Sequence, residues 1–162
     1  MQESSNKIIQ QGEIVSFDTD MVGPYGYCAD ISRTFVCGNY FNNNQKEHYS
    51  MSLEQINHNS NLIKAEMSFK EFTEKSWKLP EEYYGNRYSV MVHGIGLCDE
   101  WPSIRYPTDG GDKSGRFLKN MTITVESYIG KVGGKEGVKL EQQYLVGENG
   151  LELMSHHPLE NI

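Results

Sequence analysis

Five acidic residues and one histidine stand in segments that otherwise have the composition of buried β-strands. Carboxylates are rarely buried unless they pair with a cation, because removing a charged group from water is costly. Several carboxylates with one imidazole can bind two divalent cations, since the cations offset the repulsion among the acids. The residues alone leave two interpretations equally open, a dinuclear metal site or a set of solvent-facing acids. The residues are Asp18, Asp20, Asp30, His93, Glu126 and Glu141.

His93 lies in the stretch Met91–Pro102, with the sequence MVHGIGLCDEWP. An apolar run ends at the histidine and glycines follow it, so the pattern predicts a rigidly held side chain with backbone packed closely around it. A lone histidine beside an apolar segment is more often a core residue than a ligand. The acids elsewhere in the chain favour the ligand interpretation.

The elements that would position these side chains are both strands and helices. Ser68 and Glu71 form a capping-box pattern at the start of the second helix. The order of elements, a strand pair, two helices and then antiparallel strands, predicts an α+β fold. The first helix carries His48 and His58, which we expect to be solvated. We predict a β-hairpin-like pair over 13–22 and 27–36, helices over about 45–66 and 68–76, and strands ending at His93 and over 121–129, 138–146 and 151–154.

Composition limits the class of protein. The chain has 162 residues and a formal net charge of −7, without a long basic run, so we expect no nucleic-acid partner. No apolar segment is long enough to span a bilayer, so we expect no membrane partner. The three cysteines, Cys28, Cys37 and Cys98, are widely spaced without a C-x-x-C pair, which is typical of reduced thiols in a cytoplasmic protein.

The ordered motifs resemble the pita-bread metalloenzymes, a family that includes aminopeptidase P, prolidase, methionine aminopeptidase and creatinase. The family's ligand order Asp, Asp, His, Glu, Glu is filled from about Gly12 onward. The resemblance implies two divalent ions (iron, manganese, cobalt or zinc), with Asp20 as a terminal ligand, Asp30 and Glu141 bridging, and Asp18 as an extra acid within reach. It also implies that His93 and Glu126 serve one ion. The motifs are Phe17–Asp20, Gly26–Thr34, His93–Leu97, Val125-Glu126 and Leu140-Glu141.

Two departures from the peptidase pattern resemble the dimethylsulfoniopropionate (DMSP) lyase branch of the family. Peptidases usually carry a second histidine directly before the Glu of the turn, and here Asp99 precedes Glu100. Asp18-Thr-Asp20 also replaces a single acid followed by glycine. The resemblance implies β-elimination of DMSP to dimethyl sulfide and acrylate, with Asp99 and Tyr88 as the catalytic residues.

The residue types suit that chemistry. A β-eliminating lyase needs a base for a weakly acidic proton beside a carboxylate, and an ionised Asp99 can accept a proton. The leaving group is a cationic sulfonium, which Tyr88, Trp101 and Tyr106 could hold by cation–π attraction of about 0.5–2 kcal/mol each. Ordinary loop packing is the alternative role for these aromatic residues.

Two other functions stay open. An Xaa-Pro aminopeptidase or dipeptidase would use the same ligands, with Asp99 in a structural role. A non-catalytic binding member of the fold is disfavoured, since all five family ligands are kept. The resemblance further implies that residues 1–162 are the C-terminal part of a single catalytic domain, with the upstream half and an N-terminal domain absent. It implies a small-molecule substrate and a homodimer in the full-length parent.

Overall fold

The computed structural model describes residues 5–159, which form strands and helices in the predicted order. This mixture confirms the α+β class. The helices are α1 (Asn43–Leu62), α2 (Phe69–Lys75) and α3 (Glu81–Tyr84). The strands are β1 (Ile14–Asp18), β2 (Met21–Val22), β3 (Cys28–Ala29), β4 (Ser32–Val36), β5 (Val90–Gly94), β6 (Ser103–Arg105), β7 (Thr122–Ile129), β8 (Val138–Val146) and β9 (Leu151–Leu153).

A five-stranded antiparallel sheet forms the centre of the described chain, in the order β6-β5-β7-β8-β9. The N-terminal strands form two antiparallel ribbons, β1 with β4 and β2 with β3. The predicted hairpin-like pair is therefore confirmed, although each arm is broken into two short strands. The β1–β4 ribbon packs against β8, where the Thr34 hydroxyl donates to the Lys139 carbonyl at 2.8 Å.

Helix α1 covers one face of β7 and β8. It begins after Asn42, whose side chain accepts from the Gln45 amide, and it buries Tyr49 and Ile56 on its apolar side. Side chains alternate across a strand, so Ser127 and Glu126 of β7 point to opposite faces. Ser127 donates to Gln55 of α1 at 2.6 Å. The face that carries Glu126 is thus the one turned away from α1.

Helix α2 begins as predicted, because the Ser68 hydroxyl accepts from the Glu71 amide at 3.1 Å. The sequence patterns missed α3 and β6, which have four and three residues and are too short to show a periodicity.

His58 is exposed as expected, but the expectation of a solvated His48 was wrong. Its ring is buried and packs edge-to-face on Tyr83, with centroids 5.6 Å apart. Within residues 5–159, no helix is long and apolar enough to cross a membrane.

Candidate metal centre

The acids predicted as ligands converge on the sheet face opposite α1. Glu126 of β7 and Glu141 of β8 are directly paired across the two strands. His93 lies near the end of β5, which pairs with the other side of β7. Asp30 joins them because the Cys28 amide donates to the Gly96 carbonyl at 2.7 Å, which ties β3 to the turn after β5. Four segments that are distant in sequence therefore meet at one place.

The turn after His93 is crowded in the way its glycines predict. A Cβ atom added to Gly94 would collide with the Trp101 carbonyl, and the Gly94 amide donates to the Pro102 carbonyl at 2.9 Å. Gly96 has a φ of 135°, which side chains rarely adopt. These contacts fold residues 95–102 back over the end of β5 and carry Asp99 toward the acids.

The buried part of the centre is built around the His93 imidazole. Its Nε2 lies 3.2 Å from Glu141 Oε1, 3.7 Å from Asp30 Oδ2 and 3.9 Å from Glu126 Oε1. All four side chains are almost fully buried. His93 Nδ1 lies 3.0 Å from the Gly94 carbonyl, so a proton on Nδ1 leaves the Nε2 lone pair facing the acids.

A second, more open group shares Asp30 with the first. One ligand atom from each of Asp20, Asp30 and Asp99 lies within 4.8 Å of the others, as is true of Asp30, His93 and Glu141. Asp20 is exposed and Asp99 is half-buried. Asp30 therefore connects a buried group to one that opens to solvent.

Two carboxylate oxygens of the centre fit a metal because they lack a hydrogen-bond partner. Asp30 Oδ1 and Glu126 Oε1 are buried, and neither has a hydrogen-bond partner in the described chain. Burial and the nearby charge of Glu141 raise the pKa of Asp30 to about 9. Burial, with the charge of Glu141, raises the pKa of Glu126 to about 8 although Lys139 opposes the shift. Oxygen atoms buried without partners beside an imidazole are a donor set that suits a divalent ion.

His93 and Glu141 have pKa values shifted in opposite directions. Burial lowers the pKa of His93, but the hydrogen bond to Glu141 and the charges of Glu126 and Glu141 outweigh it, giving about 9. Burial raises the pKa of Glu141, but Lys139 and His93 outweigh it, giving about 2. Without metal, a protonated His93 therefore forms a charge-assisted contact with an ionised Glu141. A metal ion bound between them would replace the proton.

Sequence reasoning missed Lys139, a buried cation inside the acid cluster. Its ammonium contacts Glu126 Oε2, and it lies 3.2 Å from Glu141 Oε2 and 4.0 Å from Asp18 Oδ2. Lys139 is 2% exposed. A signal for it exists in the sequence, because residues two apart on a strand share a face and Lys139 stands two before Glu141.

Ser32 and Arg33 fix the same glutamate from β4. The Ser32 hydroxyl contacts Glu141 Oε2 at 2.8 Å and Asp18 Oδ1 at 2.6 Å. The Arg33 guanidinium donates to the Glu141 backbone carbonyl at 2.5 Å and to carbonyls of the C-terminal segment, including that of Pro158 at 3.0 Å. Arg33 thus braces the strand and forms no ion pair with the acids of the centre in the described chain.

The structure separates the aromatic residues predicted to contact substrate. Tyr88 lies at the centre, with its hydroxyl donating to Glu100 Oε1 at 3.3 Å and its ring 4.8 Å from Lys139 Nζ. Trp101 directly follows Glu100 in sequence and is 64% exposed. Tyr106 is buried on the far side of β6, where its hydroxyl accepts from Gln55 of α1 at 2.6 Å. The contacts of Tyr106 are those of a core residue.

Fold and site together define a carboxylate-rich candidate metal centre on an antiparallel sheet, with helix α1 on the other face of the sheet. The sequence-family model of metallopeptidase family M24 matches residues 1–148 of the chain. The chain belongs to this family, whose members have the pita-bread fold and bind divalent metals.

Known relatives include both lyases and peptidases. The chain is 36% identical to dimethylsulfoniopropionate lyase DddP of Roseovarius nubinhibens, over 98% of this chain and 36% of that protein. It resembles the prolidase of Pyrococcus horikoshii OT3 with a TM-score of 0.79 and 27% identity, covering 98% of this chain and 44% of that one. It also resembles an Xaa-Pro dipeptidase of Bacillus anthracis, with a TM-score of 0.76 and 32% identity. The match covers 98% of this chain and 43% of that one. The chain spans less than half the length of these relatives.

Proposed function

We propose that the full protein is a dinuclear metal-dependent lyase that cleaves DMSP to dimethyl sulfide and acrylate. The observation that carries the proposal is the Asp99 carboxylate, which lies within 4.8 Å of ligand atoms of Asp20 and Asp30. A base at that place is beside any substrate carboxylate held at the centre. The 36% identity to a DMSP lyase across 98% of the chain supports the same substrate.

The metal centre would use the residues that the geometry brings together. His93 and Glu126 would hold the buried ion and Asp18 and Asp20 the second, with Asp30 and Glu141 shared by both ions. Divalent ions in this donor set would bind the substrate carboxylate and stabilise the negative charge that develops beside it. Iron, manganese, cobalt and zinc all suit these ligands.

The elimination step assigns distinct roles to Asp99 and Tyr88. Asp99 takes the proton from the carbon next to the substrate carboxylate, the electron pair forms the new carbon–carbon double bond, and the carbon–sulfur bond breaks. Dimethyl sulfide leaves as a neutral molecule and acrylate remains. Burial raises the pKa of Asp99, which makes its carboxylate a stronger base than an ordinary aspartate. Tyr88 donates a hydrogen bond and orients the reacting groups.

A metallopeptidase acting on Xaa-Pro peptides is the second candidate, favoured by the likeness to prolidase and Xaa-Pro dipeptidase. In that case Asp99 holds the turn, as its acceptance of the Glu100 amide at 3.0 Å allows. Assay of the full natural protein with DMSP and with a Pro-containing dipeptide separates the two functions. Dimethyl sulfide release supports the lyase, and free amino acid without dimethyl sulfide refutes it.

The remaining features of the proposal concern the whole protein. The described residues would be the C-terminal part of one catalytic domain, and the full protein would form a homodimer in the cytoplasm. Size-exclusion chromatography with light scattering tests the dimer, and fractionation tests the location.

A further inference from the structure

In both glutamates of the centre, one carboxylate oxygen lies near His93 and the other near Lys139. Oε1 of Glu126 and Oε1 of Glu141 lie 3.9 and 3.2 Å from His93 Nε2. Oε2 of both glutamates contacts the Lys139 ammonium, at 3.2 Å for Glu141. Lys139 and the imidazole therefore contact different oxygens of each glutamate, so the lysine leaves one oxygen of each glutamate for the histidine.

The Lys139 ammonium is held in the acid cluster by its ion pairs. A buried ammonium is costly unless it is paired, and this one contacts two buried acids and lies 4.0 Å from Asp18. Within residues 5–159, no other lysine or arginine forms an ion pair with these acids. The Tyr88 ring, 4.8 Å away, covers the ammonium on a further side.

The net charge of the metal centre suggests a function for Lys139. Beside the proposed base Asp99, the centre has five ligand carboxylates, whose five negative charges exceed the four positive charges of two divalent ions. We propose that Lys139 is the built-in cation that offsets part of the remaining negative charge and limits how strongly the folded protein depends on metal. This inference rests on the proposed dinuclear centre, but it holds for either substrate. The carboxylates are Asp18, Asp20, Asp30, Glu126 and Glu141.

A charge-balancing role and a purely orienting role predict opposite effects of substitution. If Lys139 balances charge, an uncharged replacement leaves excess negative charge, so the metal-free protein loses stability and the acids attract metal more strongly. If Lys139 only orients the glutamates, the same replacement disorders them and weakens metal binding, as loss of an outer-shell partner commonly does by about 10–100-fold.

Three variants separate charge from hydrogen bonding. Lys139→Met keeps the apolar stem and removes the charge, Lys139→Gln keeps a hydrogen-bond donor without the charge, and Lys139→Arg keeps the charge. Lys131→Met is a matched control, because Lys131 also contacts a carboxylate (Glu82, at 3.2 Å) and a tyrosine ring (Tyr83, at 5.7 Å), but on the surface.

The experiment uses the full natural protein, stripped with EDTA and titrated with Mn²⁺ by calorimetry, with Tm measured before and after saturation. We expect Lys139→Met and Lys139→Gln to bind Mn²⁺ about tenfold more tightly and to gain at least about 5 °C more in Tm on saturation than the parent. Lys139→Arg and Lys131→Met should match the parent.

Weaker or unchanged Mn²⁺ binding in both uncharged variants overturns the inference. If Lys139→Met does not fold even with Mn²⁺, the comparison of Lys139→Gln with Lys139→Arg decides the question. A parent protein that binds no Mn²⁺ or other divalent ion overturns the metal centre itself. A parent that binds metal but cleaves no DMSP refutes the lyase and leaves this inference standing.

Discussion

Glu126 and Glu141 are direct cross-strand partners on β7 and β8, and both are almost fully buried. Like charges placed opposite each other on neighbouring strands destabilise a sheet, and buried carboxylates do so more strongly than exposed ones. The sheet keeps this pair because protons or cations neutralise it. Lys139 supplies one such cation, and the orphaned oxygen of Glu126 provides a place for a metal ion.

The metal-free protein should lose stability as the pH rises from 5 to 8. The pKa of Asp30 is raised to about 9 and that of Glu126 to about 8, so both hold protons in the folded state that they release on unfolding. The pKa of His93 is raised to about 9, so its contribution is complete below about 6.5 and is lost as the pH rises through 9. Each carboxyl contributes a slope of at most about 1.4 kcal/mol per pH unit.

Chemical denaturation of EDTA-treated protein at several pH values measures this slope. Glu126→Gln removes one of the titrating groups and should make the slope shallower. Metal-loaded protein should behave in the opposite way, because metal displaces the protons and binds more tightly as the pH rises. Stability of the metal-free protein that increases between pH 5 and 8 would show that the carboxyls are ionised without metal.

Asp99→Asn should lower kcat for DMSP elimination by about 10²–10⁴-fold, the usual contribution of a general base. Metal content, measured by elemental analysis, should stay unchanged if Asp99 accepts the proton and does not bind an ion. Asp112→Asn, in the loop that follows β6, is the control and should retain activity. Loss of one metal equivalent in Asp99→Asn would instead make Asp99 a ligand, which its closeness to Asp20 and Asp30 permits.

Much of the centre could be predicted from the ordered family motif, whereas residue types alone left a metal site and a set of solvent-facing acids equally open. The strands β5, β7 and β8 were likewise predicted from their apolar β-rich runs. Lys139 was missed because lysine is usually solvated, and only the pairing of β8 with β7 shows that it is enclosed. Tyr106 was predicted with Tyr88 and Trp101 as an aromatic contact of the sulfonium, whereas Tyr106 lies in the core directly after β6.

Tyr88→Phe should lower kcat/KM for DMSP by about 10–100-fold, the effect of losing one hydrogen bond to a charged group. Burial and the charge of Glu126 raise the pKa of Tyr88, so its phenol stays protonated and acts as a donor. The alkaline limb of the pH–rate profile should therefore not change in the variant. Tyr25→Phe, at a site 96% exposed, is the control. A shifted alkaline limb would mean that loss of the Tyr88 proton sets that limb, and a shifted acidic limb would identify Tyr88 as the base.

Trp101→Leu should raise KM for DMSP by about 2–30-fold with little change in kcat, as expected from losing one cation–π contact. The indole is 64% exposed next to Glu100, so its removal should not change the Tm measurably. Tyr25→Leu removes an aromatic ring that is more exposed and should leave both kinetic constants unchanged. An unchanged KM in Trp101→Leu would remove Trp101 from the substrate contacts.

Tyr106→Phe separates a core role from a substrate contact. The variant leaves the Gln55 amide without its buried acceptor, which costs about 1–3 kcal/mol and should lower Tm by about 3–10 °C. The kcat and KM for DMSP should not change, because neither the ring nor the hydroxyl of Tyr106 contacts the centre. The ring packs on Tyr84 at a centroid distance of 5.8 Å, and the hydroxyl bonds to Gln55 of α1. Thermal unfolding and DMSP kinetics on the same preparation measure both quantities. Tyr84→Phe, which loses only an exposed hydrogen bond to Thr108, is the matched control and should change Tm little. A raised KM with an unchanged Tm would place Tyr106 in the substrate site, since a residue that only supports the core cannot weaken binding without weakening the fold.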